Sequence, residues 1–136
     1  MAQFSWTDDL CTGNSLIDGD HRKLISMVNA LLDSMAKGQA NDIMSKVLNN
    51  LILYTKEHFG REEAEMQRIR YVASLSHKSE HTKLIKQVLE LKASLDAGER
   101  INAVSVSGFL CDWLRNHILT VDMKLAAALK SQPQAA

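Results

Sequence analysis

Apolar residues recur along this chain every three or four positions in four separate runs, with charged and amide residues filling the intervals. The first run is Leu24, Ile25, Val28, Leu31, Leu32 and Met35, and the second is Met44, Val47, Leu48, Leu51 and Ile52. The third is Leu84, Val88, Leu91 and Leu95, and the fourth Val106, Leu110 and Trp113. Residues three and four apart share one face of an α-helix, so each run predicts an amphipathic helix. No long alternating stretch of Val, Ile and Thr argues for a strand. Gly38 and Gly98 each follow a run where a left-handed helix cap would sit, and the single proline, Pro133, lies in the tail. The pattern therefore predicts helices over residues 18–37, 41–69, 74–96 and 103–130, with an arm over 1–17 and a frayed tail over 131–136. Short links between long helices force antiparallel neighbours. The expected fold is all-α, an up-down-up-down four-helix bundle with an N-terminal arm, forming one domain over residues 1–136. No internal repeat suggests a solenoid.

Charge and composition narrow the function classes. The 16 basic and 16 acidic side chains cancel, which removes the bulk-charge argument for nucleic acid or an anionic membrane surface. No apolar run approaches the roughly 18–20 residues of a spanning helix, and the start MAQFSWTDDL lacks the basic-then-apolar order of a secretory signal. A cytoplasmic location is expected, with no membrane insertion. Cys11 and Cys111 stand a hundred residues apart without any CxxC, so they are expected to be buried small hydrophobes rather than a disulfide. Cys11, in a polar arm, fits that expectation less well.

The five histidines change the picture. His21 opens the row that runs on through Leu24 and Val28, and His77 and His81 open the row of Leu84, Val88 and Leu91. The row of Leu48 and Leu51 runs on to His58 and Glu62, and that of Leu110 and Trp113 runs on to His117. His58 and Glu62, like His77 and His81, are four apart and so neighbours on one helix face. Because the helices alternate in direction, the start of the first, the end of the second, the start of the third and the second half of the fourth share one end of the bundle. A single histidine is ordinarily a core or surface residue with one hydrogen bond. Five neutral imidazoles and Glu62 on inward faces at one level would instead bury many polar atoms in need of partners, and a metal supplies them. Asp122 follows His117 by five residues, which in a regular helix leaves it about 140° off that face. The row after His117 runs better through 122, 125 and 129 than through 121 and Lys124, so a one-residue slip, a π-bulge, is expected there. The alternative is a regular helix with Asp122 solvated.

Four segments, in order, carry a family resemblance: Trp6, Gly13, Ile17, Asp18 and His21; His58, Phe59, Glu62, Glu63 and Met66; His77 and His81; and Trp113, Leu114, Asn116, His117, Ile118 and Asp122. Over nearly its whole length the sequence resembles hemerythrin, specifically the bacterial hemerythrins. The resemblance implies two iron ions with an oxo or hydroxo bridge. His77, His81 and His117 would hold one iron, His21 and His58 the other, and Glu62 and Asp122 would bridge them. Dioxygen would bind reversibly at the open position of the second iron, for storage, delivery or scavenging, without enzymatic turnover. A shell dominated by histidine offers few negative groups to stabilise high-valent iron, in keeping with reversible binding.

By position, Leu24, Phe59, Trp113 and Ile118 are expected to wall an apolar dioxygen pocket. Other readings are an oxygen- or redox-sensing module, a di-iron enzyme handling peroxide or nitric oxide, and a metal-free helical interaction module. The chain ends soon after the fourth helix, so a free-standing carrier is expected over a sensor. Two positions depart from the usual pattern: Asp20 stands where glutamine is common, and the loop YVASLS before His77 lacks a frequent proline. Gly60 and Gly108 lie within predicted helices at a cost of about 1 kcal/mol each relative to Ala, for which close packing is the expected reason.

Overall fold

The first helix begins where a side chain caps it. Asn14 accepts a hydrogen bond from the Ile17 amide at 3.0 Å, satisfying one of the donors that a helix N-terminus leaves free. In the computed structural model, which describes residues 4–131, α1 accordingly spans Ser15–Ala36. It starts three residues before the expected boundary at 18, because the cap is a polar signal that the apolar row does not contain. Helix α2 spans Asn41–Arg68 and α3 Ser74–Asp96, within a residue of expectation. The fourth helix begins at Asn102, whose side chain accepts from the Ser105 amide at 3.0 Å. It runs as α4 (Ala103–Asn116), a six-residue π-helical segment (His117–Asp122) and α5 (Met123–Ser131) without a break. Among the described residues there is no strand. The expected tail beyond Ser131, with Pro133, and residues 1–3 of the arm lie outside them.

Together these elements make a four-helix bundle. The direction of α3 relative to α2 is fixed at the far end, where Asn41 at the start of α2 donates to the Leu95 carbonyl at 3.2 Å and Ser45 donates to Asp96 at 2.5 Å. Gly38 and Gly98 close α1 and α3 at φ +64° and +79°, a conformation that costs other residues a clash with their own Cβ. Arg70 takes the same left-handed conformation, at φ +52°, between α2 and α3. The arm is tied down by polar pairs. Phe4 exchanges two backbone bonds with the Asn29 side chain at 2.8 Å each, and Asp18 accepts from the Thr12 amide and hydroxyl at 2.9 and 2.7 Å.

The core is divided. A large apolar cluster built on Leu24, Val28, Leu31, Leu48, Leu51, Leu84, Val88 and Leu110 fills most of the bundle, with Met35, Val47, Leu91, Val106 and Trp113 half-buried against it. A smaller one gathers Ile17, Met66, Ile69, Leu125, Ala126 and Leu129 at the other end. The buried histidines and acids fall between the two in the register of the first, second and fourth helices, and at the start of α3, which supplies nothing to the smaller cluster. Two expectations fail here. Cys11 is exposed, its thiol 3.3 Å from Asp18, because the arm turns Phe4 and Leu10 rather than Cys11 into the core; Cys111 is half-buried, and both are free. A Cβ added at Gly60 or Gly108 would meet no atom within 4 Å, so close packing explains neither glycine.

Candidate metal centre

Each helix delivers its share of one polar layer. His21 comes from the second turn of α1, His58 and Glu62 from the last turns of α2, His77 and His81 from the first turns of α3, and His117 and Asp122 from the two ends of the π segment. All seven are buried, with Glu62 2% and Asp122 0% exposed. The π segment resolves the spacing problem of Asp122. Its extra residue returns a position five along the chain to the face of His117, and His117 Nε2 stands 3.1 Å from Asp122 Oδ1.

The layer divides into two overlapping groups that share both carboxylates. Glu62, His77, His81, His117 and Asp122 each place a ligand atom within 4.8 Å of the others, and so do His21, His58, Glu62 and Asp122. Glu62 Oε1 faces His77 and His81 at 3.4 and 3.2 Å, while its Oε2 faces His58 and His21 at 3.4 and 3.9 Å. Asp122 divides in the same way, Oδ1 toward His77 and His117 at 3.1 Å each and Oδ2 toward His21 at 2.8 Å. Despite this proximity, both oxygens of Glu62 and of Asp122 and the Nε2 atoms of His21, His77, His81 and His117 lack a hydrogen-bond partner among the described residues. Buried polar atoms left unpaired are costly and rare. Nitrogen and oxygen donors crowded together without hydrogen-bond alignment are what cation ligands look like, and the imidazole and carboxylate set suits iron, manganese or zinc. The seven residues therefore fit a pair of cations, with three imidazoles toward one and two toward the other.

The electrostatics of the protein groups alone point the same way. Burial opposes the charge on Glu62, as does Asp122, yet the His77, His81 and His58 imidazoles hold its carboxyl below the usual range. Asp122, also opposed by burial, is held far lower by His117, His21 and His77. Burial pushes His77 down, but Asp122 and Glu62 outweigh it and raise it to about 9; His117 is raised by the same balance. Burial prevails at His58, which is lowered. The carboxylates are thus ionised, and a bound cation would take over the positive charge that the imidazoles otherwise supply.

Around this layer lies a ring of acids that sequence reasoning missed in part. Asp20 of α1 reaches His58 Nδ1 on α2 at 2.8 Å, Glu63 of α2 reaches His81 Nδ1 on α3 at 2.9 Å, and Glu80 of α3 reaches His117 Nδ1 on the fourth helix at 3.0 Å. Each acid is the sequence neighbour of a ligand position on its own helix and serves a histidine of the next. Such a partner fixes the imidazole's tautomer and strengthens its other nitrogen as a donor. The sequence signal was the acidic neighbour in Asp20-His21, Glu62-Glu63 and Glu80-His81. Aromatic rings complete the support: Phe59 stacks on His81 with centroids 3.6 Å apart, and Trp113 on His117 at 4.4 Å.

Two spaces reach the layer. A solvent-open cleft of about 310 Å³ touches Glu62 between Asp20, Arg61, Glu65 and Arg68. A far smaller apolar cavity of about 30 Å³ lies on the other side, lined by Leu24, Phe59, Trp113 and Leu114 among others, with His21, His58 and His117 at its edge. Ile118, expected in that wall, is wholly buried but not part of the lining. It follows His117 by one residue, about 100° around the helix, whereas Trp113, Leu114 and His117 share a face.

The family model of the hemerythrin HHE cation binding domain matches residues 12–129. The chain belongs to the hemerythrin family. A bacteriohemerythrin of Pseudomonas paraeruginosa is 35% identical over 130 residues, covering 96% of this chain and 84% of that protein. That of Methylococcus capsulatus is 38% identical over 123 residues, covering 90% and 93%. A solved structure of wild-type hemerythrin superposes with a TM-score of 0.86 at 36% identity, covering 94% of this chain and 98% of that one. Hemerythrin membership makes iron the metal implied for the histidine and carboxylate cluster. Among the described residues no helix is long and apolar enough to cross a membrane.

Proposed function

We propose that this hemerythrin binds dioxygen reversibly at a pair of iron ions joined by an oxo or hydroxo bridge, as a carrier rather than an enzyme. His77, His81 and His117 would hold one iron, His21 and His58 the other, and Glu62 and Asp122 both. The observation that carries the reading is the set of buried, unpaired nitrogen and oxygen atoms of His21, Glu62, His77, His81, His117 and Asp122, which lies with His58 beside an apolar cavity. Iron supplies two-electron chemistry toward dioxygen that can run in both directions.

The chain's own residues account for the rest. Leu24, Trp113 and Leu114 give the cavity an apolar surface, and its volume of about 30 Å³ leaves room for a small molecule only. It suits a diatomic gas and offers water few partners. Excluding water protects a bound reactive species from hydrolysis and stray protons. The cavity touches both sides, through His21 and His58 on one and His117 on the other, and on the two-histidine side fewer imidazoles leave room for a ligand.

The test is an optical spectrum of the reduced, iron-loaded protein before and after air, with metal analysis of the same sample. A colourless protein holding two irons per chain should gain a visible charge-transfer band in air and lose it under vacuum. Absence of stoichiometric iron, or of any band, would overturn the proposal. Steady consumption of peroxide or reductant would replace the carrier by an enzyme.

A further inference from the structure

Of the three carboxylates that reach a histidine Nδ1, Asp20 is built differently from the other two. The Glu63 and Glu80 side chains are 33% and 39% exposed, and each makes only its bond to histidine among the described residues. The Asp20 side chain is 10% exposed and accepts four hydrogen bonds. Arg61 donates through Nε to Oδ2 at 2.9 Å and through Nη2 to Oδ1 at 2.7 Å, and the Tyr54 hydroxyl donates to Oδ1 at 2.6 Å. His58 Nδ1 completes the set at 2.8 Å from Oδ2. Tyr54 is itself bracketed by cations, with Lys23 Nζ 4.7 Å and Arg61 Cζ 5.4 Å from its ring centre. An ionised carboxylate can only accept, so the proton of His58 sits on Nδ1 and its Nε2 lone pair faces the layer.

The clamp is also unevenly placed. On the three-histidine side, His81 and His117 each have a carboxylate on Nδ1. Among the described residues Nδ1 of His21, like that of His77, has no partner, so the two-histidine side has His58 alone held in this way. Retention there depends most on one imidazole and on what holds it.

We propose that Tyr54 and Arg61 are positioning residues of the metal centre: by locking Asp20 onto His58 they govern retention of the metal shared by His21 and His58, and leave the other metal unaffected. The inference rests on the two-iron reading of the site. Neither residue is a ligand and both are only partly buried, so Tyr54→Phe and Arg61→Met should still fold, at some cost in stability.

The experiment is iron release from the loaded protein into excess chelator, with iron K-edge absorption counting imidazoles on the iron that remains. Wild type should release two irons in two phases, the faster leaving an iron with three imidazoles. Tyr54→Phe and Arg61→Met should each speed the first phase by about 10- to 100-fold and leave the second unchanged. Asp20→Asn should do at least as much, and adding Tyr54→Phe to it should add little, since both act through one carboxylate. Two wild-type phases unchanged in the variants, or both accelerated alike, would overturn this inference alone. A wild type holding fewer than two irons would overturn the two-iron reading and this inference with it.

Discussion

At the scale of single residues, the centre is a contest between burial and charge. Glu62 and Asp122 stay ionised because imidazoles surround them, and Asp20 because Arg61 and Tyr54 do. Burial raises the Asp20 carboxyl, but these hydrogen bonds and His58 bring it down to about 2, and Tyr54 in turn is pushed up to about 12 by burial and by Asp20. A carboxyl lower in the folded than in the unfolded chain binds fewer protons when folded, so its contribution is full above its ordinary value of 3.8 and is lost as pH falls through about 2. In chelator-treated protein, denaturant titrations should show wild type more stable than Asp20→Asn at pH 5, with the gap closing toward pH 2. A gap that is independent of pH would contradict the ion-pair account. Register reveals which face a residue occupies but not which neighbouring helix it meets. His21, His58, Glu62, His77, His81 and His117 could therefore be placed in one layer from the sequence, while the bonds of Glu63 and Glu80 could not.

At the scale of elements, helix length and spacing were legible because the apolar rows are long and regular. The ends were less so: Asn14 starts α1 by a side-chain bond that hydropathy does not register. The slip at His117–Asp122 was legible because two independent patterns, the five-residue histidine-to-acid spacing and the apolar row through Leu125 and Leu129, disagreed with a regular helix in the same direction. The open space around Gly60 and Gly108 was not, since a glycine leaves no side chain by which to judge its surroundings. Both lie in helices with open space where a Cβ would go. Replacing either by Ala should stabilise the protein by up to about 1 kcal/mol, raising the melting temperature by about 3–6 °C. A fall in melting temperature would show that one of these glycines serves something other than helix stability.

At the scale of the whole molecule, a polar layer separates two apolar clusters, and that arrangement costs stability unless the layer's donors and acceptors are paired. Cations would pair them all at once, which would tie metal binding to the folded state and make the bundle and its centre one thermodynamic unit. The small apolar cavity and the solvent-open cleft both reach the centre, one lined mainly by apolar side chains and the other by charged ones. All of this requires two cations within the layer. The most direct measurement is anomalous diffraction at the iron edge from crystals of iron-loaded protein. Two peaks are predicted, one ringed by His77, His81 and His117, the other by His21 and His58, with Glu62 and Asp122 reaching both. A single peak, or two peaks away from these seven side chains, would contradict the account.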